Sequence, residues 1–151
     1  MLVSLVRHGI AEEGSPDADR KLSAQGLSQS RTVAEKFKLY TPVVDIAITS
    51  PYERAKQTAA VFSQVFPDLN FEVNELLVPD ADAYDVMQII EQSGIEHLLL
   101  VGHNPLMSRL FSLMIDGIAE TMRPFGTSNL VCIEMDLVAP GCGEIQYTME
   151  S

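Results

Sequence analysis

Short apolar runs alternate with helix-periodic segments along this chain, and that alternation is its tightest constraint on fold. Residues 2–6, 43–49 and 97–101 are near-continuous apolar stretches of strand length, the pattern of strands buried on both faces. Between them, apolar residues recur three and four apart. Ser23 is placed to cap a helix running to about Leu39, with Leu27, Ala34 and Phe37 facing inward and Gly26 weakening its first turns. Ser50-Pro51-Tyr52-Glu53 has the form of a capping box, with Ser50 as N-cap, Pro51 at the first helical position and Glu53 at the third. Ala55, Ala59, Phe62 and Phe66 follow at helical spacing, and Pro67 lies just beyond. Residues 71–73 suit a short strand, and residues 83–92 a helix stopped by Gly94. Asn104 is placed to cap a helix with Pro105 at its first position and Leu106, Leu110 and Leu113 on its core face. Residues 130–137 and 144–149 alternate as a closing strand pair around the Pro140-Gly141 turn. The order β-α-β-α-β-α-β-α-β-β predicts an α/β three-layer sandwich, a mostly parallel central sheet flanked by helices.

A chain of 151 residues is the size of one domain, expected to span 1–151, and is long enough to bury a real core. Apolar residues make up 46% and charged residues 21%, which excludes a disordered chain. No apolar run approaches the roughly 20 residues that cross a bilayer, so no membrane partner is expected. The opening Met-Leu-Val-Ser-Leu-Val runs straight into Arg-His-Gly and reads as a first strand, not a signal peptide. Cys132 reads as a small core residue and Cys142 as a turn residue. Two cysteines make no disulfide framework, so a reducing, cytoplasmic setting is expected. Twenty-one acidic against ten basic residues give a net charge of −11, which argues against nucleic acid as a partner. Such a chain binds a small anion only by gathering its few cations, six arginines and four lysines, in one place.

Ligands of parallel sheets bind at the carboxyl ends of the strands. The first predicted strand ends in Arg7-His8-Gly9, the second runs into Ser50-Pro51-Tyr52-Glu53-Arg54, and the third long strand ends in Gly102-His103-Asn104-Pro105. Two arginines and two histidines meeting at one sheet edge define an anion pocket, and the helix after Ser50 adds its positive end. A phosphoryl group suits that pocket. Neutral imidazole is a competent nucleophile toward phosphorus near pH 7, and the resulting phosphoimidazole is itself hydrolysable. Arginine stays charged and grips oxygens with a fork, so no metal or cofactor is required. A metal site from His97 and His103 lacks a third ligand at a sensible spacing. His97 otherwise reads as an ordinary strand-start residue, and Arg109 and Arg123 as surface or ion-paired residues.

These motifs resemble those of the histidine phosphatase superfamily. Arg7-His8-Gly9 is similar to that family's signature, Ser50-Pro51-x-x-Arg54-Ala55-x-Gln57-Thr58 to its second motif and Gly102-His103 to its third. The compact length and Asp19-Arg20-Lys21-Leu22-Ser23-x-x-Gly26 resemble the bacterial SixA-type phosphohistidine phosphatases. The resemblance implies a phosphoglycerate-mutase-like fold and a metal-independent phosphatase. In it His8 is phosphorylated, Arg7 and Arg54 hold phosphate oxygens and His103 donates to the phosphoryl group. Arg20 at the rim and the amide of Asn104 add substrate contacts. Glu75 is the candidate general acid, with Asp80 and Asp82 as weaker alternatives. Residues 66–97 leave room for one short strand and one helix, where larger relatives carry lids. An open pocket suits a phosphohistidine on a partner protein of two-component phosphotransfer or phosphotransferase-system type, with inorganic phosphate as product and a part in signal transduction. The alternatives are a small-molecule phosphomonoesterase and a low-turnover phosphate- or phosphoprotein-binding module.

Overall fold

The computed structural model describes residues 1–40 and 43–151. Within them the apolar runs become β1 (Leu2–Arg7), β2 (Ile46–Thr49), β3 (Phe71–Val73) and β4 (His97–Gly102), all mutually parallel. The closing pair is β5 (Leu130–Met135) and β6 (Gly143–Met149). The sheet order is β3-β2-β4-β1-β5-β6, and β5 runs antiparallel to both its neighbours. The predicted second strand is shorter than its apolar run. Its first residues are used otherwise: the Asp45 carboxylate accepts the His97 backbone N–H at 2.7 Å, and the Val43 carbonyl meets His97 Nδ1 at 3.1 Å.

Helices cover both faces because the central strands are apolar on both. Leu98 and Leu100 of β4 pack with α3 (Ala83–Ser93) and α4 (Leu106–Asp116), through Val86, Ile90, Leu106 and Leu110. Leu99 and Val101, the alternate residues, pack with α1 (Ala24–Tyr40) and α2 (Glu53–Val65), through Val33, Phe37, Ala55 and Phe62. The three-layer sandwich is thus realised. Ser23 does cap α1, its Oγ accepting the Gly26 N–H at 3.0 Å, and Gly94 ends α3 in the left-handed region at φ 61°.

One face assignment fails. Leu27 is 43% exposed, and the buried stripe of α1 is Gly26, Ser30, Val33, Ala34 and Phe37. The helix rotates to lay Gly26 against the backbone that follows Gly9. A Cβ on Gly26 would collide with the Ile10 carbonyl oxygen, and one on Gly9 would lie 2.6 Å from the Gly26 carbonyl oxygen. Backbone approach, not apolarity, sets the angle of this helix. Gly26→Ala is therefore expected to destabilise the protein by about 1–3 kcal/mol despite alanine's better helix propensity. Denaturant unfolding of the variant checks this, and a stabilised variant would contradict the packing.

Candidate active site

Parallel pairing brings the three motifs to one edge. Arg7 lies opposite Gly102 in the β1–β4 ladder, and the His8 N–H donates to the Gly102 carbonyl at 3.0 Å. Ser50 follows β2, and its N–H donates to the Val101 carbonyl at 3.0 Å. The His8 and His103 rings consequently lie with centroids 4.9 Å apart. Because β5 runs the other way, the loop preceding it reaches the same edge and contributes Phe125 and Ser128.

Each histidine has a defined proton. His8 is nearly buried, and its Nδ1 lies 2.7 Å from the Gly9 carbonyl oxygen. A carbonyl only accepts, so Nδ1 carries the hydrogen and Nε2 presents its lone pair. Arg54 Nε donates to that nitrogen at 3.2 Å. Burial is the largest influence on His8, opposed by the Gly9 carbonyl and reinforced by Arg54, Arg7 and Arg20, and its pKa falls from the ordinary 6.5 to about 4. His103 is fully buried with Nε2 2.7 Å from Ser50 Oγ. The Ser50 hydroxyl accepts the Tyr52 N–H at 3.2 Å, and His103 Nε2 is the one acceptor among the described residues within reach of its own hydrogen. The His103 proton is then on Nδ1, which has no protein partner among the described residues. Burial, followed by His8 and Arg54, lowers the His103 pKa to about 2, with Asp17 opposing.

Capping is where the sequence reading of these motifs needs correction. Ser50 is not the N-cap of α2; the helix opens at Glu53 behind Tyr52, whose side chain makes no capping bond. Ser50 Oγ is drawn to His103 instead. Asn104 does not cap α4 either, since Pro105 takes that position. Its side-chain amide donates to the Phe125 carbonyl at 2.9 Å and its Oδ1 accepts from Ser108 Oγ at 3.1 Å.

The arginines divide by environment. Arg7 Nη1 donates to the same Phe125 carbonyl at 3.0 Å, and its Nε is buried without a partner among the described residues. Burial and then Arg54 lower its pKa. The Arg54 side chain, 5% exposed, donates Nη1 to the Asp17 carbonyl at 2.7 Å and Nη2 to Asp17 Oδ2 at 3.0 Å. Arg20 donates Nε to the Glu12 carbonyl at 2.8 Å and Nη1 to Asp17 Oδ1 at 3.1 Å. Arg7, His8, Arg54 and His103 are brought together. Arg20 joins them through Asp17. Glu75 opens a short 3₁₀ turn (Glu75–Leu77) and is exposed, and its side chain makes no hydrogen bond or ion pair among the described residues. Arg123 is ion-paired as expected, with both its Nε and Nη2 at 2.8 Å from Asp116.

Several contributors escape a sequence reading. Asp17 holds two arginines but looks like one of several loop acids. Gln57 and Thr58 carry a usable signal, since they lie in the second motif. Gln57 Oε1 accepts the Leu22 N–H at 2.6 Å, and Thr58 Oγ1 accepts the Gly9 N–H at 3.2 Å, so both tie α2 to the loop after β1. Ser128, at φ 57°, sends its N–H between the Arg7 and His8 carbonyls at 3.0 and 3.1 Å. Its αL conformation has no sequence mark. Among the described residues no group of three or more His, Cys, Asp or Glu is arranged to hold a metal ion, and no helix is long and apolar enough to cross a membrane.

An arrangement with a lone-pair nitrogen beside a guanidinium, and an imidazole N–H nearby, attacks an electrophile and holds the negative charge around it. It requires both rings to stay neutral. The His8 ring is expected to titrate near pH 4, not 6.5, in an NMR titration of the imidazole signals. Depressed histidine pKa values make the unfolded chain take up more protons below pH 6.5. Stability is therefore full above pH 6.5 and falls as the pH drops toward about 4. Denaturant midpoints that rise across that interval on acidification would contradict the neutral pair.

Comparison with known proteins agrees with the fold and the motifs. Residues 3–78 match the model of the histidine phosphatase superfamily, branch 1. The chain is 30% identical to the phosphohistidine phosphatase SixA of Escherichia coli K12, over 90% of this chain and 86% of that one. It superposes on the structure of the protein histidine phosphatase SixA complexed with tungstate with a TM-score of 0.85 at 28% identity, covering 99% of this chain and 97% of that one. A SixA structure from Agrobacterium tumefaciens, 23% identical, shares the fold with a TM-score of 0.85 and the same coverage. The first two strand-end motifs, at Arg7-His8-Gly9 and residues 50–58, lie inside the matched residues, and the chain belongs to the histidine phosphatase superfamily, branch 1.

Proposed function

We infer that this protein is a phosphohistidine phosphatase that hydrolyses phosphohistidine on a partner protein. The observation that carries the reading is the His8 ring: neutral, its Nδ1 proton on the Gly9 carbonyl, its Nε2 lone pair beside Arg54 Nε. The 30% identical relative from E. coli, named a phosphohistidine phosphatase, supports it.

The proposed reaction has two displacements. His8 Nε2 attacks phosphorus, and the bond from phosphorus to the substrate imidazole breaks. A substrate ring protonated on its other nitrogen leaves as neutral imidazole, so it needs no carboxylic acid. Water then attacks the phospho-His8, the P–Nε2 bond breaks, and inorganic phosphate leaves. In both steps Arg7, Arg54 and the His103 Nδ1–H bind the phosphoryl oxygens and gain strength as charge spreads over them. Asn104 bears on the substrate from the rim, and Arg20 does so through Asp17. Charge compensation by guanidinium makes the enzyme independent of metal and of any cofactor. We assign the whole chain, 1–151, to one catalytic domain working in the cytoplasm, away from membrane and nucleic acid. Its partner is a phosphotransfer protein in a signalling relay.

The carboxylates support a phosphohistidine more than an ester. Asp17 is bonded to two arginines of the site, and against its partial burial the hydrogen bonds from Arg20 and Arg54 hold it ionised, below the usual carboxylate range. It has no proton to give an alkoxide. Glu75 is left as the candidate acid for ester substrates only. Glu75→Gln is expected to leave phosphohistidine hydrolysis within about twofold and to slow hydrolysis of an alkyl phosphate ester by about 10²-fold, within the range typical of general acids. Equal losses on both substrates would refute this division.

Acid-labile phosphate should be trapped on the wild type after a rapid quench with a phosphohistidine protein, and be absent from His8→Ala. Turnover should survive EDTA. Full turnover in His8→Ala, or loss on chelation restored by one divalent ion, overturns the mechanism. Faster release from sugar phosphates than from the phosphoprotein would favour a small-molecule phosphomonoesterase.

A further inference from the structure

Arg54 is the most buried of the three site arginines, and none of its nitrogens is idle. A guanidinium is flat and has two usable forks, one formed by the two terminal nitrogens and one by Nε with Nη2. Asp17 takes the terminal fork with two different groups, its backbone carbonyl on Nη1 and its carboxylate on Nη2. That two-point grip fixes both the plane and the roll of the guanidinium. The other fork is thereby turned to the ring of His8, with Nε 3.2 Å from Nε2.

We propose that Asp17 is the positioning residue of the phosphate site, gripping the terminal fork of Arg54 so that the Nε–Nη2 fork faces the nitrogen of His8 that receives the phosphoryl group. This rests on the reading of His8 as nucleophile and Arg54 as phosphate ligand. Asp17 comes from the loop after β1, in a 3₁₀ turn (Asp17–Asp19), and its side chain is 54% exposed. An exposed carboxylate is a weak anchor alone. Here Arg20 completes it, with Nη1 on the second carboxylate oxygen and Nε on the Glu12 carbonyl of the same loop. Arg20 thus acts through Asp17, as the lock of the loop that carries it. One carboxylate links an arginine that closes a loop to an arginine on α2.

The same contact has an opposite reading, in which Asp17 is an internal anion that phosphate must displace. The geometry favours positioning, because Asp17 sits on the fork turned away from Nε2. A phosphoryl group on Nε2 meets the other fork and leaves Asp17 in place. Misplacing a catalytic donor by about 1 Å costs about 10²-fold in rate.

The test measures steady-state phosphohistidine hydrolysis and orthovanadate affinity in the full-length protein. The variants are Asp17→Ala, Asp17→Asn, Arg20→Ala, Arg54→Ala and the doubles Asp17→Ala/Arg54→Ala and Asp17→Ala/Arg20→Ala, with thermal unfolding alongside. Asp17→Ala is expected to lower kcat about 10²-fold and to weaken vanadate binding less. Asp17→Asn, which keeps one side-chain acceptor, should recover part of the rate. Both doubles should be little worse than the poorer single, since the residues act as one unit. A purely structural role would shift the unfolding midpoint without this non-additivity in kcat. Should Asp17→Ala lose its fold, the Asp17→Asn and Arg20→Ala variants decide the matter by the same two readouts. Tighter vanadate binding in Asp17→Ala, unchanged kcat, or multiplicative losses in the doubles would each overturn the proposal. Full activity in Arg54→Ala would instead overturn the function on which it rests.

Discussion

The parallel pairing of β1 with β4 runs in register from Leu2 opposite His97 to Arg7 opposite Gly102. Everything at the candidate site depends on that register. A strand alternates its side chains, so a slip of one residue would turn Arg7 and His8 to opposite faces and remove His103 from reach. The register is secured from both sides. Leu98 and Leu100 commit one face of β4 to α3 and α4, and Leu99 and Val101 commit the other to α1 and α2. At the start of the ladder, Ser4 Oγ meets His97 Nε2 at 2.8 Å inside the core. That hydrogen bond belongs to the register as much as the apolar contacts do.

At the other end of the ladder the chemistry comes from what burial does to charge. Two imidazoles lie among three guanidiniums, and burial with nearby positive charge keeps both rings neutral. Neutrality is what gives His8 Nε2 a lone pair and makes His103 a neutral donor. The hydrogen-bond partners then decide which nitrogen does what. The Gly9 carbonyl assigns the proton of His8, and the Ser50 hydroxyl that of His103. Excess acid elsewhere on the surface does not disturb this, because among the described residues the one carboxylate joined to the arginines of the site is Asp17, each of whose oxygens is bound by an arginine.

Local signals hold where local physics decides them. The apolar runs became central strands, Ser23 and Gly94 bounded their helices, and Leu106, Leu110 and Leu113 faced the core. Local signals misled where a residue had a stronger distant partner. Ser50 and Asn104 have capping chemistry, but His103 and the Phe125 carbonyl claim their side chains. Leu27 has core chemistry, but the approach of Gly26 to the Gly9–Ile10 backbone turns it outward.

Residue order and type were enough to fix the fold class, the strand ends that carry chemistry, and Arg7, His8, Arg54 and His103 as the residues to bring together. Periodicity and residue type are local properties, and strand order follows from few choices once the elements alternate. Long-range packing settles which nitrogen of each histidine holds the proton, that Asp17 and Arg20 close on Arg54, and that the loop before β5 supplies the carbonyl shared by Arg7 and Asn104. Those facts depend on distances of about 3 Å between residues remote in the chain, such as Arg54 and Asp17 or Arg7 and Phe125. A hydrogen bond is lost within a few tenths of an ångström, and packing alone sets positions that finely.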